Sequence, residues 1–321
     1  MKKKIILVTG DPNSINSEII YKCWIKLPNQ LKKNIYLVSN YKLLKDQFTK
    51  LKYKIGLIKV KNIFDVSNNK LKILDIDLNY TNSFKISINS SSKFVLKSLN
   101  LAHKLGLNKN VAGIINCPID KRLLKKKIIG VTEYLAEKCG VRDNSELMII
   151  KNKKLAVSPI TTHLNIKNIP YKINKKIILK KIKTMHNWYF KKYNKKPRMA
   201  ILGLNPHNAE LKKDSEEKKI IIPAIKSLKN LGVKIDGPHS ADTIFISDYT
   251  SYDIIVGMYH DQILAPFKAI FKFDAINLTL GLKYTRVSPD HGVARNRILK
   301  KNSNFLSLLN CIYYIHYMPE K

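Results

Sequence analysis

The 321-residue chain is short of several kinds of residue. It has 23 acidic residues against 59 basic ones, a formal net charge of +36, and only 12 glycines and four cysteines. No apolar run approaches the roughly 18 residues of a membrane-spanning helix, and the N-terminal apolar run is too short for a signal peptide. The cysteines lie far apart, without a CxxC pair. These absences predict a cytoplasmic protein with reduced thiols, no disulfide framework and no membrane segment.

Arginine is scarce among the basic residues, since only six of the 59 are arginine and the lysines are spread along the whole chain. Bidentate recognition of phosphate and guanine favours arginine. The charge therefore predicts nonspecific attraction to polyanions at low salt, and no specific nucleic-acid binding. Lysine-rich patches such as 125–127 and 180–183 are interpreted as solvated helix faces.

Several catalytic motifs are also missing. The sequence contains no GxGxxG, Walker A, HExxH or GxSxG pattern. A conventional Rossmann dehydrogenase, a P-loop enzyme and a serine hydrolase are therefore disfavoured.

Apolar residues make up 45% of the chain, enough for a substantial core. Short apolar runs alternate with longer amphipathic ones, which is typical of βαβ units. Strands are predicted at 4–8, 34–38, 111–115, 155–160, 199–202 and 254–256. Helices are predicted at 17–26, 92–105, 177–193, 216–231 and 305–317. We expect an α/β fold with mainly parallel sheets and two lobes, with 51–91 as a hairpin excursion.

Three histidines each follow a predicted strand within a few residues: His163, His207 and His260. Ligands of open α/β sheets collect at the carboxyl ends of the strands, so these side chains could converge. Three neutral imidazoles with open remaining positions make a catalytic site for a divalent metal. The alternative, that each histidine only caps a strand end or bonds a local carbonyl, stays open. His103 and His186 lie in polar helical surroundings and are interpreted as surface residues.

Polar residues cluster after His260. Lys268, Asn277 and Arg286 lie within 26 positions of it, and a lysine and an arginine near a metal suit an anionic substrate. Arg286 is the more informative of the two cations because arginine is rare here. Asp242, which follows a Gly-Pro turn, adds a carboxylate or simply caps a helix.

At these residues the chain resembles the 4-hydroxythreonine-4-phosphate dehydrogenase family of pyridoxal phosphate biosynthesis. The resemblance runs nearly end to end and is weakest at 40–90 and after Ala294. The matching stretches include Gly10-Asp11-Pro12, Thr132-Glu133, Thr161-Thr162-His163, Gly203-Leu204-Asn205-Pro206-His207, Ala241-Asp242-Thr243, Met258-Tyr259-His260-Asp261-Gln262, Asn277-Leu278-Thr279-Leu280-Gly281-Leu282 and Ser288-Pro289-Asp290-His291-Gly292.

The resemblance implies an isocitrate/isopropylmalate-dehydrogenase-like fold. The first lobe would consist of residues 1–135 together with 285–321. The second lobe, residues 136–284, would carry the metal histidines, and the active site would lie in a cleft between the two lobes. It further implies a homodimer whose active site uses both subunits.

The resemblance also implies roles for individual residues. His163, His207 and His260 would bind one divalent ion (Zn, Mg or Co). The small phosphorylated substrate would meet the residues Thr132, Lys268, Asn277 and Arg286. Lys268 and Asp242 would transfer protons, with acid and base unassigned. NAD, or else NADP, would contact the loop that holds His291, Gly292 and Ala294.

The chain departs from the family pattern in polar and glycine-rich places. Val131 replaces the histidine of Gly-His-Thr-Glu, and the loop after Gly292 has lost its acidic, glycine-containing character. We therefore expect an intact metal site with altered phosphate and cofactor contacts. Arg295 and Arg297 are candidates to accept an NADP 2′-phosphate, with simple drift as the alternative. Two other functions stay open: a dehydrogenase of another phosphorylated hydroxy acid, such as a phosphorylated threonate, and a catalytically decayed basic binding protein.

Overall fold

A computed structural model describes residues 3–67, 69–124, 130–141, 146–246 and 248–318. The chain divides into two compact units, one of residues 1–142 with 282–321 and the other of residues 143–281. The domain boundaries expected from the sequence fall at 135/136 and 284/285, and that assignment stays a prediction.

The first unit is built on six parallel strands. They are β1 (Lys4–Val8), β2 (Ile35–Ser39), β3 (Leu57–Val60), β4 (Leu71–Asp75), β5 (Val111–Asn116) and β12 (Arg286–Pro289), in the order β3-β4-β2-β1-β5-β12. Its helices are α1 (Asn16–Lys26), α2 (Asn29–Lys32), α3 (Tyr41–Leu51), α4 (Ile88–Gly106), α5 (Val131–Lys138) and α10 (Leu306–His316).

The sequence explains these elements locally. The central strands β1 and β2 carry almost continuous apolar runs whose side chains are buried, as expected when helices cover both faces of a parallel sheet. The side chains of Asn40 and Ser87 begin α3 and α4 by accepting the backbone N–H groups of Leu43 and Ser90.

In the second unit, five of the six described strands run in one direction and one runs against them. The six are β6 (Leu147–Lys151), β7 (Ala156–Thr161), β8 (Met199–Leu202), β9 (Ile235–His239), β10 (Ile254–Tyr259) and β11 (Ile276–Leu280), in the order β11-β6-β7-β10-β8-β9. The strand of opposite direction is β6, which pairs antiparallel with β11 on one side and with β7 on the other. The helices are α6 (Ile169–Lys172), α7 (Lys175–Tyr193), α8 (Ile222–Asn230), preceded by a π turn (Glu217–Ile221), and α9 (His260–Phe271). A buried core that includes Val157, Ile255 and Phe267 holds this unit together.

The α/β class with mainly parallel strands is confirmed, and so are the six predicted strands. The four cysteines are free and buried, which confirms that they form no disulfide framework. Across the described ranges no helix is long and apolar enough to cross a membrane.

Three expectations are wrong. Residues 51–91 form no hairpin, because β4 lies between β3 and β2 and runs parallel to both. Lys181 is buried, since its ammonium reaches back to donate to the Ile160 carbonyl at 2.8 Å. His103 is half-buried, with its Nδ1 3.0 Å from the Tyr284 hydroxyl, and burial lowers its pKa. The patch 125–127 lies outside the described residues.

Candidate active site

The three predicted metal histidines follow three neighbouring parallel strands of the second unit. His163 comes two residues after β7, His207 five residues after β8, and His260 directly after β10 as the first residue of α9. Strands β7, β10 and β8 are adjacent in the sheet. The strand-end positions inferred from the sequence are therefore present, all at the carboxyl ends of these strands.

Two of the three imidazoles lie close together. The ring centroids of His163 and His260 are 6.1 Å apart. The Nδ1 atom of His260 is 2.6 Å from the Asp261 carboxylate, which leaves Nε2 as its second nitrogen for a ligand. A carboxylate on one imidazole nitrogen is the usual support for a metal-binding histidine.

His207 lies in an unusual turn. Residues 207–211 all have φ between 48° and 56°, the left-handed region that non-glycine residues rarely adopt. In the part of the chain that the structure describes, no group of three His, Cys, Asp or Glu side chains is gathered closely enough to hold a metal. Three imidazoles fit a divalent ion in donor type, and the structure brings two of them together. The three-histidine metal site stays a prediction.

Two side chains that sequence reasoning left without a role support the histidine segments. Gln262 accepts the Met258 N–H and donates to the Gly203 carbonyl, both at 2.7 Å, and so links the end of β10 to the residue after β8. Buried Glu217 accepts the backbone N–H groups of Leu204 and Asn205, at 2.7 and 2.9 Å.

The ionisation of Glu217 depends on these contacts. Burial raises its pKa, but the hydrogen bonds from Asn205 and Leu204 outweigh burial, so its pKa lies below the ordinary value. Gln262 belongs to the stretch 258–262, which matches the family in sequence. Glu217 lies in a charged run that is typical of an exposed helix start. Only the folded backbone identifies Glu217 as a support.

The remaining predicted residues of the second unit lie on three different elements. Lys268 is exposed, two turns after His260 on α9, and Asp242 is exposed in the turn that follows β9. Asn277 lies on β11, and its buried side-chain oxygen has no hydrogen-bond partner in the described part of the chain. A buried acceptor of this kind is costly unless a ligand donates to it. Asn277 therefore fits a substrate that offers a hydroxyl or an ammonium.

The first unit brings two predicted substrate residues into direct contact. Arg286 is only 3% exposed; its Nε donates to the Asn116 side chain at 2.7 Å and its Nη1 to the Thr132 hydroxyl at 3.1 Å. Burial lowers its pKa to about 10, so the guanidinium stays charged at neutral pH. Asn116 was missed because nothing in its strand-end sequence marks it. The pair fits an anionic group on the substrate.

Val131, which replaces the family's histidine, begins α5 immediately before Thr132. Its side chain packs at the edge of a buried cluster that includes Phe94, Leu99 and Tyr134. The replacement has therefore turned a polar position into an apolar contact.

The predicted cofactor residues lie on the loop that follows β12. Ala294 has φ +46°, and His291 Nδ1 is 3.0 Å from the Gly292 carbonyl. A Cβ atom on Gly292 would meet no atom within 4 Å, so packing does not require a glycine there. An open glycine fits a loop that lets a ligand approach its backbone closely. The loop is tied to the first helix of the unit because Ile15 donates its N–H to the Val293 carbonyl at 3.2 Å.

Comparison with known proteins gives consistent similarities. The family model described as Pyridoxal phosphate biosynthetic protein PdxA matches residues 30–315. A 4-hydroxythreonine-4-phosphate dehydrogenase of Sulfurihydrogenibium sp. (strain YO3AOP1) is 37% identical over 299 residues, covering 90% of each chain. The solved 4-hydroxythreonine-4-phosphate dehydrogenase of Klebsiella pneumoniae superposes with a TM-score of 0.85 at 26% identity, covering 100% of this chain and 99% of that one. The similarity confirms the expected fold class.

A further relative has a different substrate in its name. The protein of Oceanobacillus iheyensis with the provisional name D-threonate 4-phosphate dehydrogenase is 29% identical over 308 residues, 91% of each chain.

Proposed function

Since the chain belongs to the PdxA family of pyridoxal phosphate biosynthetic proteins and is an oxidoreductase, we propose that it oxidises 4-phosphooxy-L-threonine with NAD in a metal-dependent reaction. The observation that carries the proposal is the relationship to 4-hydroxythreonine-4-phosphate dehydrogenases over nearly the whole chain. The charged Arg286, bonded to Thr132 in a buried position, supports it because a phosphorylated amino acid needs such a cation.

We assign the metal to His163, His207 and His260. The bound Zn, Mg or Co ion would polarise the substrate hydroxyl as a Lewis acid. The proximity of the His163 and His260 rings and the carboxylate on His260 support this assignment. Asp261 fixes the orientation of the His260 ring through this contact.

The substrate is bound by its charged ends. Arg286 and Thr132 hold an anionic group, Asn277 accepts a hydrogen bond from the substrate, and Lys268 adds a second cation. Asp242 and Lys268 take the proton from the C3 hydroxyl and supply the proton that C2 gains when carbon dioxide leaves, with the order between them open. The substrate would lose a hydride from C3, for which bound NAD would supply the acceptor, and a proton from the hydroxyl. The resulting β-keto acid loses carbon dioxide to give 3-amino-2-oxopropyl phosphate.

A phosphorylated threonate is the second candidate substrate. Val131 favours it, because a polar contact of the family is replaced by an apolar one, and substrate specificity depends on such contacts. The Oceanobacillus relative supports the same alternative.

Parallel kinetics with the two substrates test the proposal. We expect kcat/KM for 4-phosphooxy-L-threonine to exceed that for phosphorylated D-threonate by about 100-fold or more. Val131→His is the comparison variant, expected to retain this preference. A reversed preference in the wild-type protein would assign the threonate function instead. No turnover of either substrate by folded protein would favour the decayed binding protein.

We further propose a cytoplasmic homodimer in which both subunits contribute to each active site. The free, buried cysteines support a reducing compartment. Sedimentation of the purified protein tests the assembly: we expect twice the 37.0 kDa chain mass, and a monomer with full activity would contradict it.

A further inference from the structure

The loop 291–297 is held by an arginine that the sequence offered for a different role. Arg295 is one of two candidates for binding an NADP 2′-phosphate. In the structure its Nη2 lies 3.0 Å from the carboxylates of both Asp11 and Asp120. Its Nε donates to the Asn13 carbonyl at 3.3 Å. We call Asp11, Asp120 and Arg295 the carboxylate clamp.

The clamp joins three separate stretches of the first unit. Asp11 follows β1, Asp120 follows β5, and Arg295 follows β12. The Asp11 side chain is completely buried and that of Asp120 is 14% exposed, whereas the Arg295 side chain is 38% exposed. Two largely buried carboxylates therefore share one guanidinium, which offsets part of their desolvation cost. Arg122 adds a second cation to Asp120 from the exposed side, with its Nη2 at 2.7 Å.

The ionisation of the two carboxylates reflects these positions. Burial raises the pKa of Asp11 in spite of the Asn13 N–H and Arg295, which lower it. For Asp120, the hydrogen bond from Arg122 and the charge of Arg295 hold the pKa below its ordinary value. Removal of Arg295 would leave Asp11 as a buried carboxylate without its cation.

The hydrogen bonds of Arg295 also decide what else it can bind. A guanidinium has five N–H donors, and bidentate binding of phosphate uses one edge with two nitrogens. Nη2 donates to Asp11 and lies 3.0 Å from the Asp120 carboxylate, and Nε donates to the Asn13 carbonyl. Within the described residues only Nη1 is left without a contact, so neither two-nitrogen edge is free for a phosphate, and the two nearby carboxylates would repel a 2′-phosphate.

We propose that Arg295 is a positioning residue that fixes the 291–297 loop for dinucleotide binding, and that it is not a ligand of a 2′-phosphate. The proposal rests on the proposed function, which assigns His291, Gly292 and Ala294 to the cofactor. The hydrogen bond from Ile15 to the Val293 carbonyl reports independently whether the loop is docked. Arg297 is exposed and stays a candidate for 2′-phosphate contact.

Two measurements on the full-length protein without substrate or metal test the proposal. Hydrogen–deuterium exchange of peptides covering 11–16 and 291–299 reports loop docking, and fluorescence titration gives Kd for NADH and NADPH. For Arg295→Ala we expect exchange at least tenfold faster in both peptides. Both Kd values should rise together by about tenfold, with their ratio unchanged within twofold. Arg295→Lys should recover part of each loss, because an ammonium can still bridge two carboxylates.

Two further variants separate the clamp from general charge and folding effects. Arg122→Ala removes a cation from the same carboxylate without touching the loop, so exchange and both Kd values should stay within twofold of wild type. Asp120→Asn keeps the buried Asp11 contact and should give intermediate changes, even if Arg295→Ala fails to fold.

Four results would overturn the proposal. A selective loss of NADPH affinity in Arg295→Ala would make the arginine a 2′-phosphate ligand. Unchanged exchange would show that no clamp holds the loop. Faster exchange with unchanged NADH affinity would show that dinucleotide binding does not depend on loop docking. If wild-type protein bound neither dinucleotide, the cofactor part of the proposed function would fail, and the positioning role with it.

Discussion

Glu217 has a larger structural effect than its place in a charged run suggests. Its carboxylate holds two backbone N–H groups just before His207. We expect Glu217→Gln to lower the free energy of unfolding by about 1.5–3 kcal/mol, the range for buried hydrogen bonds to a charged group. Glu210→Gln, at a side chain 78% exposed, should change it by less than about 0.5 kcal/mol. Urea unfolding at pH 7 measures both, and equal effects would contradict the assigned role.

The same residue sets a dependence on pH with a definite sign. Because the pKa of Glu217 is lowered in the folded protein, its stabilisation is fully present above the unfolded pKa of about 4.3. It is lost as the pH falls through the folded pKa. The difference in unfolding free energy between wild type and Glu217→Gln should therefore be constant near pH 7 and shrink below about pH 4. A difference that grew on acidification would reverse the assigned shift.

At the scale of elements, the left-handed turn 207–211 is the most unusual segment. Asn208, Ala209, Glu210 and Leu211 all have positive φ although none of them is glycine. A left-handed conformation costs a non-glycine residue about 1–2 kcal/mol. A substitution by glycine removes this cost, but glycine loses more backbone entropy on folding, which costs about 0.5–1 kcal/mol.

Ala209→Gly should therefore raise the free energy of unfolding by about 0.5–1 kcal/mol. Ala269→Gly, at an exposed position in the last turn of α9, is the control and should lower it by up to about 1 kcal/mol. Urea unfolding of both variants decides the point. Destabilisation by Ala209→Gly would mean that residue 209 does not occupy the left-handed region.

The sequence predicts the strands and helices better than it predicts strand pairing and the side-chain contacts between segments. Apolar runs located β7, β8 and β10, and the strand-end rule located their histidines. The parallel pairing of β3 with β4 was missed because pairing direction is set by the whole sheet. Glu217 and Arg295 were missed as supports because their partners follow from no local spacing: Glu217 contacts backbone 12 and 13 residues earlier, and Arg295 contacts a carboxylate 284 residues earlier. Only the folded chain brings these partners together.

At the scale of the whole molecule, the charge of +36 should act without sequence specificity. We expect duplex DNA to bind at about 50 mM salt and to lose at least about 10³-fold in affinity by 200 mM, since released counterions drive such binding. Duplexes of different sequence should bind alike. Affinity that survived 200 mM salt with one preferred sequence would reopen nucleic acid as a specific partner.

The central claim is a metal-dependent dehydrogenase, and NADH formation tests it most directly. Purified protein is mixed with 4-phosphooxy-L-threonine, NAD and a divalent metal, with and without a chelator. We predict turnover that the chelator abolishes, that added metal restores, and that His207→Ala loses while remaining folded. Turnover that neither the chelator nor His207→Ala reduces would contradict the three-histidine metal site. The absence of turnover by folded, metal-loaded protein would contradict the proposed function.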